Sequence, residues 1–325
     1  PFYYRDNLHI HGNIVAISGI LMDRIDGLRA FVAVVDSGSF TRAGQRLGIS
    51  NKLVSKYVAA LESQQGVTLL NRTTRSLSLT PAGTRYLGAA RRVLSAVEEL
   101  DAEARAEEGA LTGRLRVTAP VTFGEMFAAE LTRDFLADHP ALSIDLHLTD
   151  RYVDLAGEGF DLALRIGVLA DSSLIARRIG MTETWVVGSP DYLARRGRPA
   201  HPDDLRQHEN IRDSNAAMPH RASFVVADRV VGVALPGRIT VNSAQAVRRL
   251  VLAGDGLALT PSFVVAEDVA AGRLERLLPD CAAPMLDIQA LYLPQPFVPP
   301  RVSAYLDHLR ARLGPLLQTA PPRDS

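Results

Sequence analysis

Lysine is almost missing from this chain of 325 residues. Of its 36 basic side chains only Lys52 and Lys56 are lysine, and the rest are arginine. Cysteine is scarcer still. The single Cys281 excludes an internal disulfide and any multi-cysteine metal site, which fits a reducing compartment. Long apolar runs are also absent. Residues 14–21 form one of the longest near the N-terminus, far short of the roughly 20 residues needed to cross a bilayer. Residues 1–21 lack the basic n-region and small-residue cleavage site of a secretory signal, so a cytoplasmic location is expected. Catalytic signatures are missing as well. No HExxH, P-loop, GxGxxG or GxSxG occurs, and His139, His147, His201, His208, His220 and His308 are scattered without metal-ligand spacing. No enzyme activity, cofactor or metal is expected. Residues 1–21 show no clear period and stop just before Met22, so they are expected to be an extension without structure, with a natural start at Met22.

Net charge is formally zero, but the charges are segregated along the chain. Residues 39–92 hold nine basic side chains against one acid, Glu62. Residues 93–110 reverse the sign, with six acids against Arg105. An anionic partner is therefore expected near the N-terminal segment.

Local periodicity says how that segment folds. Leu28, Phe31, Val32 and Val35 give one apolar face of a helix that the DSGS turn ends. Ser39 caps a second helix that Gly48 breaks, and Ser50 caps a third. On the third, Val54, Val58 and Leu61 point inward, leaving Lys52, Ser55, Lys56 and Ala59 outward. This is a helix-turn-helix with a polar, cationic and small-residue outer face. Lys52 and Lys56 reach phosphates or guanine acceptors, Asn51 suits an adenine edge, and Ser55 permits close approach. Ser39, Thr41, Arg42 and Ser50 flank that face. A solvated surface is the ordinary fate of a lysine pair, but here a β-prone hairpin follows, LLNRTTRSLSLTPAG, with Arg72 and Arg75 placed as on a DNA-binding wing.

The run FVAVVDSGSFTRAGQRLGIS, LVSKYVAALE, LLNRTTRSLSLTPAGTRYL resembles the winged helix-turn-helix of LysR-type transcriptional regulators. It departs from that pattern at Asn51 and Lys52, where many members carry glutamine and proline. The bases read here therefore cannot be borrowed from relatives. The following helical pattern through Glu108, with Leu87, Ala90, Leu94 and Val97 spaced by three and four, fits either a pairing helix or one packed on its own domain. The resemblance implies the former, a linker helix that makes a dimer and an inverted-repeat operator.

Gly109 and Gly113 bracket an expected hinge, after which strands and helices alternate. RLRVTAP, LSIDLHLT, DLALRIG, WVVGS, RITVN, GLALTP and DIQALYLP read as strands. Residues 125–137, 243–252 and 302–313 read as helices. The resemblance continues through RLRVTAPVTFG, GFDLALRIGVLADSSLIARRIG and AGDGLALTPSFV. It implies two α/β lobes like a type 2 periplasmic binding protein, with crossings near Trp185 and Asp287. The expected domains are a winged helix-turn-helix over residues 22–80, a linker helix and hinge over 81–110, and an effector domain over 111–325. Lobe I takes about 111–185 and 285–325, lobe II about 186–284.

Ligands of open α/β sheets sit beyond the carboxyl ends of strands, where helix N-termini favour anions. That rule selects Thr118, Pro120, Val121, Thr122, Thr149, Arg165, Ile166, Gly167 and the loop Asp171 to Ser173 on one wall. Asp213, Ser214, Asn215, Asn242, Ser243 and Thr260 form the other. Thr122 and Thr149 lead, because the resemblance implies hydroxyls that hold effector carboxylates. Each taken singly also fits an N-cap or turn. The expected function is a DNA-binding regulator, a homodimer or homotetramer with duplex DNA, a small effector and RNA polymerase as partners. The strand-end hydroxyls and Arg165 suggest an anionic effector, and a neutral aromatic fits too. The alternative is a solute-binding protein without a DNA target.

Overall fold

The computed structural model describes residues 10–72, 77–103, 110–167, 173–227, 229–295 and 298–317. The chain divides into two compact units, Pro1–Arg114 with Val153–Gly159, and Leu115–Tyr152 with Phe160–Ser325.

The first unit is built on α1 (Ile10–Ser37), α2 (Phe40–Leu47) and α3 (Asn51–Gln65). α1 reaches back to Ile10, so most of the segment expected to lack structure is helical. No proline or turn cluster separates IVAISGILM from the amphipathic stretch that follows it, and nothing stops the helix propagating. Ser39 and Ser50 cap α2 and α3, their hydroxyls accepting the amides of Arg42 at 3.4 Å and Leu53 at 3.3 Å. Leu28, Phe31, Val34, Val54, Val58 and Leu61 are buried together, each contributing roughly 1.5–3 kcal/mol of apolar burial.

β1 (Leu70–Arg72) and β2 (Leu77–Leu79) pair antiparallel as the wing, with Leu70 opposite Leu79. α4 (Pro81–Glu103) follows at once. Thr80 makes this corner. Its hydroxyl donates to the Thr68 carbonyl at 2.8 Å and accepts the Gly83 amide at 2.9 Å. Gly83 is equally constrained, because a Cβ there would lie 2.0 Å from the Leu69 carbonyl oxygen. Leu87 and Ala90 join the core of this unit, so the first half of the expected pairing stripe is spent on the chain's own head.

The second unit begins with β3 (Gly113–Ala119), α5 (Val121–Phe123), a π-helical turn (Gly124–Ala128), α6 (Ala129–Asp138) and β4 (Leu142–Leu148). The helix expected over residues 125–137 therefore starts earlier and opens with the π turn. Next comes α7 (Leu155–Glu158), which belongs to the first unit. Gly88 lets α4 approach it, since a Cβ there would meet the Ala156 carbonyl oxygen at 2.1 Å. Arg91 donates to the Glu158 carbonyl at 3.0 Å, and Arg92 to that of Ala156. Residues 153–159 thus separate from the domain that their sequence position assigned them.

The chain continues through β5 (Leu162–Ile166), β6 (Ile175–Thr182), β7 (Thr184–Gly188) and α8 (Pro190–Arg196). Then come β8 (Arg212–Asp213), the hairpin β9 (Arg221–Val226) and β10 (Arg229–Ala234), and β11 (Thr240–Val241). The last elements are α9 (Ala244–Leu252), β12 (Leu257–Pro261), α10 (Ser262–Ala270), β13 (Glu275–Leu277), β14 (Leu286–Tyr292) and α11 (Pro300–Leu317). A five-stranded sheet has the order β4-β3-β5-β14-β6, and a three-stranded sheet the order β12-β7-β13. β3 and β5 run parallel, while β14 is antiparallel to both its neighbours. The strand expected from RITVN shrinks to the two residues of β11, paired parallel with β8.

Gly83→Ala tests the corner between wing and α4. The added methyl must push the Leu69 carbonyl away, costing about 2 kcal/mol or more. Urea denaturation followed by circular dichroism is expected to show the loss in the first unit's transition, and an unchanged midpoint would show that the corner yields freely.

Candidate nucleic-acid interface and small-molecule cleft

The outer face of α3 is open and cationic. Asn51, Lys52 and Lys56 are exposed and Ser55 is half-buried, while Thr41 and Arg42 are exposed on α2. Among the described residues neither lysine has an ion pair or hydrogen bond. The Asn51 amide reaches the Thr41 hydroxyl at 3.5 Å, which joins the N-terminal ends of the two helices. Glu62, the one acid of the basic segment, faces elsewhere. Its Oε1 accepts the amides of Leu69 at 2.8 Å and Leu70 at 3.1 Å, so it anchors the wing and leaves the lysines uncompensated. Arg72 closes β1, whereas its side chain and Arg75 lie outside the described residues, as do the proposed hinge Gly109 and the loop residues Asp171 and Ser172.

The strand ends are brought together in two groups. In the first, the Thr149 amide donates to the Ala119 carbonyl at 2.8 Å, and the Asp150 carboxylate accepts the Val121 amide at 3.1 Å. Asp150 thereby takes the α5 terminus that Pro120 and Val121 were expected to offer to an anion. Thr118 and Thr122 are buried, and the Thr118 hydroxyl has no hydrogen-bond partner among the described residues. Buried Arg165 donates to the carbonyls of Leu164 at 2.8 Å and Arg151 at 3.0 Å. Ile166 ends β5 opposite Ile288, and the Gly167 amide donates to the Asp287 carbonyl at 2.9 Å.

In the second group, the Ser214 amide donates to the Val241 carbonyl at 2.8 Å, and the Asn215 side chain to that of Asn242 at 2.9 Å. Ser243 is occupied as the N-cap of α9. Thr260 is buried within β12 opposite Trp185, a sheet position rather than a member of this group. The two walls touch. Phe263 packs on Phe127 and Phe123 with centroids 5.5 and 6.2 Å apart, and Gln245 Nε2 lies 3.5 Å from Met126 Sδ. Burial pushes the Asp213 carboxyl above its ordinary range, the nearby Asp150 charge pushes it the same way, and the Asn215 amide opposes both.

Two family models match: "Bacterial regulatory helix-turn-helix protein, lysR family" over residues 25–84, and "LysR substrate binding domain" over residues 108–314. The chain belongs to the LysR family of transcriptional regulators. A relative in Pseudomonas aeruginosa, the HTH-type transcriptional regulator PtxR, is 37% identical over 89% of this chain and 93% of its own. The HTH-type transcriptional activator AaeR of Escherichia coli is 33% identical over 89% and 93%. Among solved structures, CrgA of Neisseria meningitidis has a TM-score of 0.57 at 32% identity, covering 89% of this chain and 98% of that one. The Vibrio cholerae virulence activator AphB has a TM-score of 0.58 at 28% identity, covering 88% and 98%.

In this LysR-type regulator, sequence reasoning missed Asp150 and the aromatic contact of Phe123 and Phe127 with Phe263. Asp150 directly follows a chosen strand end and was within reach of the same rule. The aromatic contact joins residues about 140 positions apart and left no local trace.

Asp213 carries a test with a definite sign. A carboxyl whose folded pKa is raised stabilises the fold while protonated, and that contribution is lost as pH rises through the folded value. Asp213→Asn is therefore expected to melt a few degrees higher than the parent at about pH 7.5, with the gain gone near about pH 3.5. Melting curves that stay parallel across that range would remove this account of the carboxyl.

Proposed function

We propose that this LysR-type protein is a cytoplasmic, sequence-specific DNA-binding regulator whose C-terminal unit binds a small effector that alters DNA binding. The carrying observation is the outer face of α3, where Asn51, Lys52 and Lys56 are exposed while Glu62 is turned onto the wing. On this reading α3 enters a major groove. Lys52 and Lys56 meet phosphates or guanine, Asn51 meets adenine, and Arg72 and Arg75 of the wing meet backbone or minor groove.

Val93 and Leu100, one heptad apart on the second half of α4, are 44% and 67% exposed. They form the seam of a homodimer, or of dimers within a homotetramer, presenting two α3 helices to an inverted repeat. RNA polymerase is the natural further contact of such a regulator. The effector occupies the cleft between the two strand-end groups, and its preference for one arrangement of the walls is what reaches the DNA. Asp150 already fills the α5 terminus and Arg165 donates to carbonyls, so the cleft suits a neutral or amine-bearing ligand better than a free carboxylate. The relatives are transcriptional regulators, and no observation favours an enzyme or a DNA-independent solute carrier. Among the described residues no helix is long and apolar enough to cross a membrane.

Fluorescence anisotropy against duplex from upstream of the protein's own gene, beside scrambled duplex, tests the reading. Selective binding is expected, and Lys52→Ala with Lys56→Ala is expected to weaken it and to flatten the log–log salt slope by about two. Equally weak binding to both duplexes would move the solute-binding alternative to the front.

A further inference from the structure

A cavity of about 540 Å³ among the described residues shares no residue with the strand-end cleft. It opens where the chain leaves the five-stranded sheet after Thr182 and returns to it at Leu286, the two residues being paired in the β6–β14 ladder. β6 and the end of α11 form one wall. Trp185 of β7, Ser262 of α10 and Arg276 of β13 face them. The volume lies inside the range of about 300–1,000 Å³ common to small-molecule sites.

Its walls have two chemistries. Met181 and Met285, 44% and 51% exposed, and Leu317 supply apolar surface. Arg178, Arg276 and Arg310 bring three cations against one lining carboxylate, Glu183. Glu183 is engaged, since it accepts Trp185 Nε1 at 2.7 Å and Arg276 at 3.2 Å, and Arg276 also lies over the Trp185 ring at 4.5 Å. Arg178 faces Asp287 at 3.6 Å in an exposed pair of the kind that contributes little. Arg310 has no ion pair or hydrogen bond among the described residues. Arg178 Nη1 also donates to Met181 Sδ at 3.5 Å, so Arg310 and the weakly paired Arg178 place positive charge beside thioether and aliphatic surface, a combination that suits an anion with an apolar body.

We infer that this cavity is a second small-molecule site, for an amphiphilic organic monocarboxylate whose head group meets Arg178 and Arg310 and whose chain lies along Met181, Met285 and Leu317. The ligand touches elements on both sides of the crossing, β6 and α11 on one and α10 and β13 on the other. It binds one angle between those sheets better than another, and so biases the same motion as the strand-end effector.

Titration calorimetry of the full chain with octanoate, 4-phenylbutyrate and 1-octanol is the test. At least one carboxylate is expected to bind with Kd below about 1 mM, and octanol at least tenfold more weakly than octanoate. Arg178→Gln with Arg310→Gln is expected to weaken carboxylate binding tenfold or more. Met285→Trp, which fills the cavity from an exposed position, is expected to abolish it with the melting temperature kept. Thr122→Ala, in the strand-end cleft, is expected to change it less than twofold. Silence from both carboxylates, full affinity in the arginine double variant, octanol binding as tightly as octanoate, or a loss in Thr122→Ala would each overturn the proposal.

Discussion

The second unit depends on a strand that arrives last. β14 follows every other strand in the chain, yet it lies inside the five-stranded sheet, bonded to β5 on one side and β6 on the other. Without it β6 would have no ladder partner, and a row of backbone donors and acceptors on β5 would go unpaired. Everything from residue 183 to 285 must therefore fold as an insertion whose ends are held one ladder spacing apart. The three-stranded sheet accordingly starts at Thr184, directly beyond the crossing, and the cavity lined by Arg178 and Arg310 opens against the same crossing.

In the first unit a comparable role falls to one carboxylate. Glu62 is the only acid among residues 39–92, and it stands six and ten residues beyond the two lysines on α3, outside the i,i+3 and i,i+4 spacing at which side chains meet. Bonding to the amides of Leu69 and Leu70 makes it part of the backbone frame. That contact sets where the wing leaves α3, while the spacing keeps the field of the outer face positive.

The head was legible because its signals are local. Ser39 and Ser50 cap the helices that their positions announced, and Val54, Val58 and Leu61 bury at the spacing read from the sequence. The C-terminal unit was read less completely. β6 is an edge strand with Arg177 and Arg178 in its middle and little buried surface, so its apolar signal is thin. The two-residue strands β8 and β11 are too short for any period to show. The topology rule found the strand ends, but the direction taken by each side chain there is a tertiary outcome. Arg165 looked like an anion ligand and donates to backbone carbonyls, while Asp150 takes the helix terminus left open for a ligand.

The scarcity of lysine has a chemical corollary. With Lys52 and Lys56 as the chain's only lysines, its side-chain amines are confined to the exposed face of one short helix. Acylating metabolites, reducing sugars and aldehydes that modify amines find no other lysine on which to spend themselves. For a protein whose remaining positive charge is arginine, covalent damage or deliberate labelling of lysine amines therefore falls on a single surface of the first unit, and finds no lysine in the second.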